Sequence, residues 1–208
     1  MGLTLQLGLP ASLRLQAAML YWQAFGTKLG RIMGPEPRAL RYLDRVMRAD
    51  HVIVALADDT LLGLVGFKSP RAAFVAGGLG DMWAIYGFGA LWRAGLLRLL
   101  VRDIDNQCFL MDGLCVAPDA RGQGIGTALL DAISDEARHR GYVAVRLDVV
   151  DSNPRARALY ERQGFVAIRT ASLGPLRHIF GFASATTMVR AVQYPTERDV
   201  ARQRGGAA

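Results

Sequence analysis

The chain is poor in the side chains that build metal centres and disulfide frameworks. Its 208 residues include two cysteines and three histidines. Cys108 and Cys115 form no CxxC pair, and the histidines lack the spacing of metal ligands. The start of the chain also lacks the basic segment, apolar run and cleavage site of a secretory signal. These absences predict a cytoplasmic protein without a bound metal, in which both cysteines act as small apolar side chains.

Negative charge is also in short supply. The sequence contains 25 Lys and Arg residues against 18 Asp and Glu residues, a formal net charge of +7. This excess suits a polyanionic ligand, but no recognition motif or basic tract interleaved with aromatic residues accompanies it, so we expect no nucleic-acid binding. The length and the absence of linker-like segments predict one domain over residues 1–194, followed by a disordered polar tail over 195–208.

A strand, a glycine-rich turn and a helix follow one another near the middle of the chain. The apolar run 114–117 stops at Pro118, and apolar residues recur at helical spacing after Gly124. Glycines at a helix N-terminus let an anion approach the free backbone N–H groups, and Arg121 adds a full positive charge. The turn 121–127 therefore predicts a phosphate-binding site. A simple tight turn into the helix is the alternative.

A second strand and a second helix follow. Apolar and polar residues alternate from Tyr142 to Val150, as in a strand. Asn153 is a good N-cap, Pro154 is a good first helical residue, and Gly164 is placed to end the helix. Strands connected through a helix run parallel or nearly so, and they place ligands at their carboxyl ends. We therefore expect Asn153 and Tyr160 to lie near that end of the sheet.

These residues resemble two motifs of the GNAT superfamily of N-acetyltransferases. The coenzyme motif is Arg or Gln, two residues, Gly, one residue, and Gly or Ala; it is matched by Arg121, Gly124 and Gly126. The second motif is Asn, two residues, Ala, three residues, Tyr, and then Gly-Phe; it is matched by Asn153, Ala156, Tyr160, Gly164 and Phe165. The resemblance implies a mixed α/β fold with a central, splayed sheet flanked by helices.

The resemblance also implies an acetyl-CoA-dependent acyltransferase, which moves an acetyl group to a primary amine by direct attack on the thioester. The Leu114 N–H would face the acetyl oxygen, Val116 would meet the pantetheine arm, and Tyr160 would protonate the leaving sulfur. Gly113 is where the family's strand bulge would be tolerated. The coenzyme would be bound by Arg121 and by the other residues of the two motif regions: Cys115, Gly122, Gln123, Gly124, Ile125, Gly126, Thr127, Asn153 and Ala156.

The base that accepts the amine proton is less defined. Asp112 is the nearest carboxylate, and in an unbroken strand its side chain would share a face with Leu114 and Val116. This pattern predicts Asp112 as the base. A water-relayed base stays open for two reasons: Asp112-Gly113 is also a hairpin turn signal, and related enzymes with a carboxylate base often carry it where this chain has Leu110.

The part of the chain ahead of the motifs has clear helix and hairpin patterns. A helix is predicted over residues 11–25, with Gly26 ending it. Two apolar runs, 51–57 and 61–67, are separated by Asp58-Asp59-Thr60, which has the composition of a turn. We therefore expect an antiparallel hairpin at this point.

An inserted helical segment, about residues 68–107, separates this hairpin from the fourth strand. It contains an apolar helical pattern and the aromatic residues Trp83, Tyr86, Phe88 and Trp92. The favoured interpretation is extra core or a homodimer surface. A wall of the acceptor pocket comes second. Docking of the 83–102 segment on a membrane surface is favoured least, and its internal arginines and glycines argue against a spanning helix.

Two other function classes compete with acetyl transfer. A dinucleotide-binding oxidoreductase also uses a strand, a glycine turn and a helix, and Asp148 or Asp151 lies near the position of a ribose-binding acid. However, Thr127 stands where the third glycine of that motif should be. The other alternative is a non-catalytic coenzyme-A-binding module, which the intact Tyr160 and Asn153 disfavour. The identity of the acceptor amine is not encoded in either motif.

Overall fold

The computed structural model describes residues 2–70, 72–98 and 108–192. The strands are β1 (Thr4–Leu7), β2 (Val52–Ala57), β3 (Thr60–Lys68), β4 (Cys108–Val116), β5 (Ala144–Val150), β6 (Val166–Ser172) and β7 (Ser184–Ala191). The helices are α1 (Arg14–Met33), α2 (Glu36–Val46), α3 (Leu79–Tyr86), α4 (Ala90–Arg98), α5 (Ile125–His139), α6 (Pro154–Arg162) and α7 (Arg177–Phe180). The predicted tail, residues 195–208, lies outside the described residues, as do residues 99–107 of the insertion.

The described strands form one mixed sheet that splays open at its centre. Its seven strands are ordered β1-β2-β3-β4-β5-β7-β6. Only β4 and β5 run parallel among the neighbouring pairs, and they pair over Cys108–Leu110 and Ala144–Arg146. Beyond this point β5 continues its pairing with β7 as far as Val150, while β4 stays with β3. The splayed sheet flanked by helices confirms the predicted fold class.

The β2–β3 hairpin follows from its local sequence. Asp58 and Asp59 both have positive φ angles, 45° and 63°, as two-residue hairpin turns require, and Asp tolerates this conformation better than most residues. Thr60 already belongs to β3. All six residues of β2 are buried, which explains why its sequence is a continuous apolar run without alternation.

Helix α1 is longer than the sequence predicts. Gly26 does not end it, and the helix continues to Met33. An internal glycine costs about 1 kcal/mol of helix stability, whereas burying one large apolar side chain contributes about 1.5–3 kcal/mol. Ile32 and Met33 are both buried, with 1% and 4% of their surfaces exposed. Tertiary burial of the last turn therefore outweighs the glycine.

Two apolar clusters cover the two faces of the sheet. Helix α5 packs Leu129, Leu130 and Ile133 against one face. Helix α1 packs Ala17 and Tyr21, among others, against the opposite face. The cluster in which a strand side chain packs therefore shows on which face of the sheet that side chain lies.

The insertion builds a third cluster. Met82 and Tyr86 of α3 pack with Ile32 of α1, Tyr42 of α2 and Phe180 of α7. The Tyr86 hydroxyl donates a hydrogen bond of 2.6 Å to the carbonyl oxygen of Met33. This packing supports the interpretation of extra core for the inward face of the insertion.

The loop before α3 packs against the sheet at Gly66, where the Phe74 side chain lies close to the backbone of β3. A Cβ atom at Gly66 would lie 2.8 Å from Cβ and 2.6 Å from Cδ1 of the fully buried Phe74. We expect Gly66→Ala to lower the free energy of unfolding by about 1–3 kcal/mol, as overpacked cores do. Urea denaturation would measure this. The matched control is Gly30→Ala in α1, where the added carbon meets no atom within 4 Å and should raise stability by up to about 1 kcal/mol. Equal stability of the two variants would contradict this role for Gly66.

Candidate active site

A cavity of about 740 Å³ opens where β4 and β5 separate. Its walls come from α1, from β4 beyond Leu110, from the turn before α5, from the end of β5 and from α6. The cavity therefore lies at the carboxyl end of the parallel strand pair, as the crossover connection predicts. None of the described residues of the insertion is among those that line it.

The glycine turn forms one end of the cavity. Gly122 and Gly124 have φ angles of +79° and +82°, and α5 begins at Ile125. Cβ atoms built on Gly122 or Gly124 would meet no atom within 4 Å, so the space in front of the helix N-terminus is open. The first N–H groups of α5 have no partner within the helix and carry the positive end of its dipole. This geometry suits a phosphate group.

The remaining residues of the turn differ in position. Arg121 and Thr127 line the cavity, and the Arg121 Nε donates a hydrogen bond of 3.3 Å to the carbonyl oxygen of Val116. Gln123 does not line it, because its side-chain amide donates to the Asp119 carbonyl oxygen at 2.9 Å. Gly126 allows α5 to approach α6 closely, since a Cβ there would lie 3.0 Å from Leu159.

Strand β4 contains a bulge at Asp112. Gly113 pairs with Gly66 and Met111 pairs with Phe67, so Asp112 is the extra residue. A bulge exchanges the faces to which the following side chains point. Met111, Leu114 and Val116 accordingly pack in the α5 cluster, with Cys115 in the α1 cluster. The expectation that Asp112 shares a face with Leu114 and Val116 is therefore wrong, because it assumed an unbroken strand.

The backbone of β4 presents N–H groups to the cavity. The Ala117 N–H donates to the Leu62 carbonyl oxygen of β3 at 2.8 Å. Since successive N–H groups of a strand point to opposite sides, the N–H groups of Val116 and Leu114 point away from β3. They face the gap from which β5 has diverged, where a ligand can take the place of a strand partner.

The Asp112 carboxylate lies at the edge of this gap. One oxygen is 3.3 Å from Nζ of Lys68, and 13% of the Asp112 side chain is exposed. The other accepts a hydrogen bond of 3.4 Å from the Val75 N–H. Asp112 borders the cavity, and it lies inside β4 rather than in a hairpin turn.

Helix α6 carries the tyrosine of the second motif. The Asn153 Oδ1 accepts a hydrogen bond of 3.2 Å from the Ala156 N–H, so Asn153 is the N-cap, as predicted. Tyr160 is buried with 6% of its surface exposed, and it borders the cavity. Within the described residues its hydroxyl makes no hydrogen bond. Burial raises the pKa of the Tyr160 phenol, and the nearby Cys115 adds to the rise, so the hydroxyl keeps its proton.

Several residues that line the cavity were missed by the sequence reasoning, among them two on α1 and one on α6. Phe25 and Lys28 line it from α1, and Leu159 lines it from α6. Burial lowers the pKa of the Lys28 ammonium. No motif marks the two α1 residues, and Lys28 lies beyond Gly26, where the helix was expected to have ended. Leu159 lies next to the motif tyrosine but outside the motif itself.

Comparison with known proteins assigns this arrangement to one family. A family model described as the acetyltransferase (GNAT) family matches residues 17–165. The chain is 49% identical over 55 residues to a mycothiol acetyltransferase from Beutenbergia cavernae, covering 26% of this chain and 18% of the relative. It is 46% identical over 52 residues to the ribosomal protein bS18-alanine N-acetyltransferase of Escherichia coli, covering 25% of this chain and 35% of the relative. The similarity thus spans much less than two thirds of either relative.

Solved structures share the whole fold. An N-acetyltransferase from Staphylococcus aureus aligns with a TM-score of 0.63 at 16% identity, covering 90% of this chain and all of the other. At this identity the likeness concerns the architecture alone.

The glycine turn gives a direct test of the phosphate-site assignment. We expect Gly124→Val to abolish measurable acetyl-CoA binding by isothermal titration calorimetry, because a branched side chain would fill the open space before α5. Gly141→Val is the matched control: Gly141 has a φ angle of +80° and equally open surroundings, so it introduces similar backbone strain outside the cavity. Wild-type affinity in folded Gly124→Val, or equal loss in both variants, would refute the assignment.

Proposed function

Because the chain belongs to the GNAT family of acetyltransferases, its family model covering residues 17–165, we propose that it transfers the acetyl group of acetyl-CoA to a primary amine. Membership of this family makes the protein an acyltransferase. The observation that carries the proposal is the continuity of the cavity, which joins the helix N-terminus at Gly124 to the N–H groups of Leu114 and Val116, directed away from β3, and to Tyr160.

The residues of the cavity fit the parts of acetyl-CoA. The pyrophosphate would lie at the turn before α5, where backbone N–H groups, the helix dipole and Arg121 favour an anion. The pantetheine arm contains amide groups, and the N–H of Val116 would donate to one of them along the free edge of β4. The Asn153 side chain retains its amide N–H groups as donors, since its oxygen caps α6.

The chemistry needs three groups around the thioester. The neutral amine attacks the carbonyl carbon, forming the C–N bond, and the C–S bond breaks as the thiolate leaves. The Leu114 N–H would stabilise the negative charge that develops on the carbonyl oxygen. Tyr160 would give its proton to the departing sulfur; burial raises the pKa of Tyr160, which keeps that proton on the hydroxyl until the thiolate forms. Asp112 would receive the amine proton, directly or through a water molecule.

The acceptor is proposed only as a primary amine. The names of the relatives refer to mycothiol and to the alanine of a ribosomal protein, a small molecule and a protein. In this chain Phe25 and Lys28 of α1 lie on the cavity wall facing β4, where they can contact an acceptor. A cytoplasmic location remains a prediction from the sequence.

The alternative functions receive less support. In an oxidoreductase, Asp148 or Asp151 would bind a ribose hydroxyl. Asp148 instead accepts a 2.5 Å hydrogen bond from the Thr187 hydroxyl, and Asp151 accepts hydrogen bonds from the backbone N–H groups of Ala183 and Ser184. A module without activity would not need a protonated tyrosine on the cavity wall.

Ligand-dependent thermal unfolding tests the proposed function. Acetyl-CoA at 100 times its Kd should stabilise the fold by about 2.7 kcal/mol, and a chain of this size should then unfold about 5–10 °C higher. NADH is the control ligand and should produce no shift. A panel of primary amines, followed by release of free thiol, would then identify the acceptor. Stabilisation by NADH alone would refute acetyl-CoA as the substrate.

Replacing Tyr160 tests the proton donor. We expect Tyr160→Phe to lower kcat about ten-fold or more, with little change in the KM for acetyl-CoA, because the ring and its packing remain. Tyr142→Phe is the control, since Tyr142 packs on Phe109 outside the cavity. Burial raises the pKa of Tyr160, so wild-type kcat should show no loss from its ionisation between about pH 7 and pH 10. Unchanged turnover in Tyr160→Phe would remove this residue from the mechanism.

A further inference from the structure

The α3–α4 hairpin directs a group of large apolar side chains away from the protein. We call this group the aromatic tip; it consists of Leu79, Trp83, Phe88, Leu91 and Trp92. Phe88 lies in the turn between the helices with 86% of its surface exposed, and the other four are 45–58% exposed. The rings of Trp83 and Phe88 contact each other edge to face, with centroids 5.1 Å apart. Exposed large apolar side chains that lie on one hairpin and in part contact one another mark candidate interaction sites.

The aromatic tip is held in place from its inner side. Besides the hydrogen bond from Tyr86 to α1, the Arg93 Nε donates to the Ile32 carbonyl oxygen at 2.7 Å. Arg45 of α2 forms an ion pair of 2.7 Å with Asp81 of α3. Gly87, with a φ angle of +53° and no atom near a built Cβ, makes the turn that projects Phe88. The exposure of the tip is therefore a property of a packed element.

Positive charge lies beside the tip. Arg38 and Arg41 are exposed residues of α2, the helix against which α3 packs. The ring of Tyr42, which follows Arg41 directly and Arg38 by about one helical turn, lies with its centroid 6.1 Å from that of Tyr86, so α2 carries both arginines past the base of the hairpin. Asp81 is the only acidic residue from 79 to 98, and Arg45 neutralises it.

We propose that the aromatic tip docks on the interface of an anionic lipid bilayer. Trp and Phe side chains would enter the headgroup region, and Arg38 and Arg41 would face lipid phosphates. The contact is interfacial: none of the helices in the described part of the chain is long and apolar enough to cross a membrane. The eight residues of α3 span about 12 Å, well short of a bilayer core of about 30 Å.

Charge favours the bilayer over a second copy of the chain. A two-fold contact through the tip would join two surfaces that both carry the exposed Arg38 and Arg41, without an unpaired acidic side chain from 79 to 98 to complement them. A lipid surface rich in phosphate instead complements them. The protruding position of Phe88, at the turn of a hairpin, also suits insertion into a soft surface.

Docking through the tip is independent of the proposed acetyl transfer. No residue of the tip lines the cavity, and membrane binding needs neither acetyl-CoA nor an acceptor. Failure of one proposal therefore leaves the other in place, and vesicle binding can be measured with the full chain alone.

Co-sedimentation with vesicles is the experiment. The full chain should bind vesicles of phosphatidylcholine with about 30% phosphatidylglycerol at least ten-fold more strongly than vesicles of phosphatidylcholine alone, and about 0.5 M NaCl should weaken the binding. Trp83→Ser with Phe88→Ser should reduce the partition coefficient about ten-fold or more. Arg38→Gln with Arg41→Gln should reduce it about 25-fold on anionic vesicles, or roughly five-fold per charge.

A matched control separates the tip from general hydrophobicity. Val166 and Ile168 of the edge strand β6 are 65% and 63% exposed, so Val166→Ser with Ile168→Ser removes two exposed apolar side chains elsewhere and should leave binding unchanged. Thermal unfolding would verify that each variant is folded. Three results would overturn the proposal: no binding to anionic vesicles, wild-type binding by the Trp83/Phe88 variant, or a lipid-free dimer that this variant dissociates.

Discussion

The early end of the β4–β5 pairing is the constraint on which the site depends. The two parallel strands share three residue pairs and then follow different neighbours, β4 remaining with β3 and β5 with β7. The bulge at Asp112 accompanies this divergence and bends β4 away from the parallel register. A backbone N–H group left without a partner in a buried place costs about 1–3 kcal/mol. The free edge of β4 is therefore tolerable only where water or a ligand can supply the missing acceptors.

The elements around this gap are supported from outside the site. The insertion contributes no described residue to the cavity, yet its cluster with Ile32 and Met33 holds the last turns of α1. A helix that ended at Gly26 would have left Lys28 off the cavity wall. The insertion thus affects the cavity indirectly, through the position of α1. Its aromatic tip faces outward. One packed hairpin can in this way serve both the interior of the fold and a separate surface.

Burial disfavours charge on the groups inside the cavity. It raises the pKa of the Cys115 thiol and of the Tyr160 phenol, and it lowers the pKa of the Lys28 ammonium. Each shift favours the neutral form, as expected where water is scarce. A positive charge lies instead on the exposed Arg121, beside the glycine turn. Neutral groups beside Tyr160 and a positive charge beside the glycine turn suit a neutral thioester carried on an anionic coenzyme.

Features whose signals span only a few residues could be predicted from the amino-acid sequence. The Asp58-Asp59 turn, the positive-φ glycines before α5 and the Asn153 cap are set by local backbone geometry, and the two motifs around them indicated the family. The face of Asp112, the length of α1 and the membership of Phe25 and Lys28 in the cavity wall were decided by the tertiary structure. The first depends on register with β3, the length of α1 depends on burial against the insertion, and Phe25 lies on the cavity wall because it packs against Gly113 of β4. A pattern of residues along one strand or helix cannot contain that information, because the partner that decides it lies elsewhere in the chain.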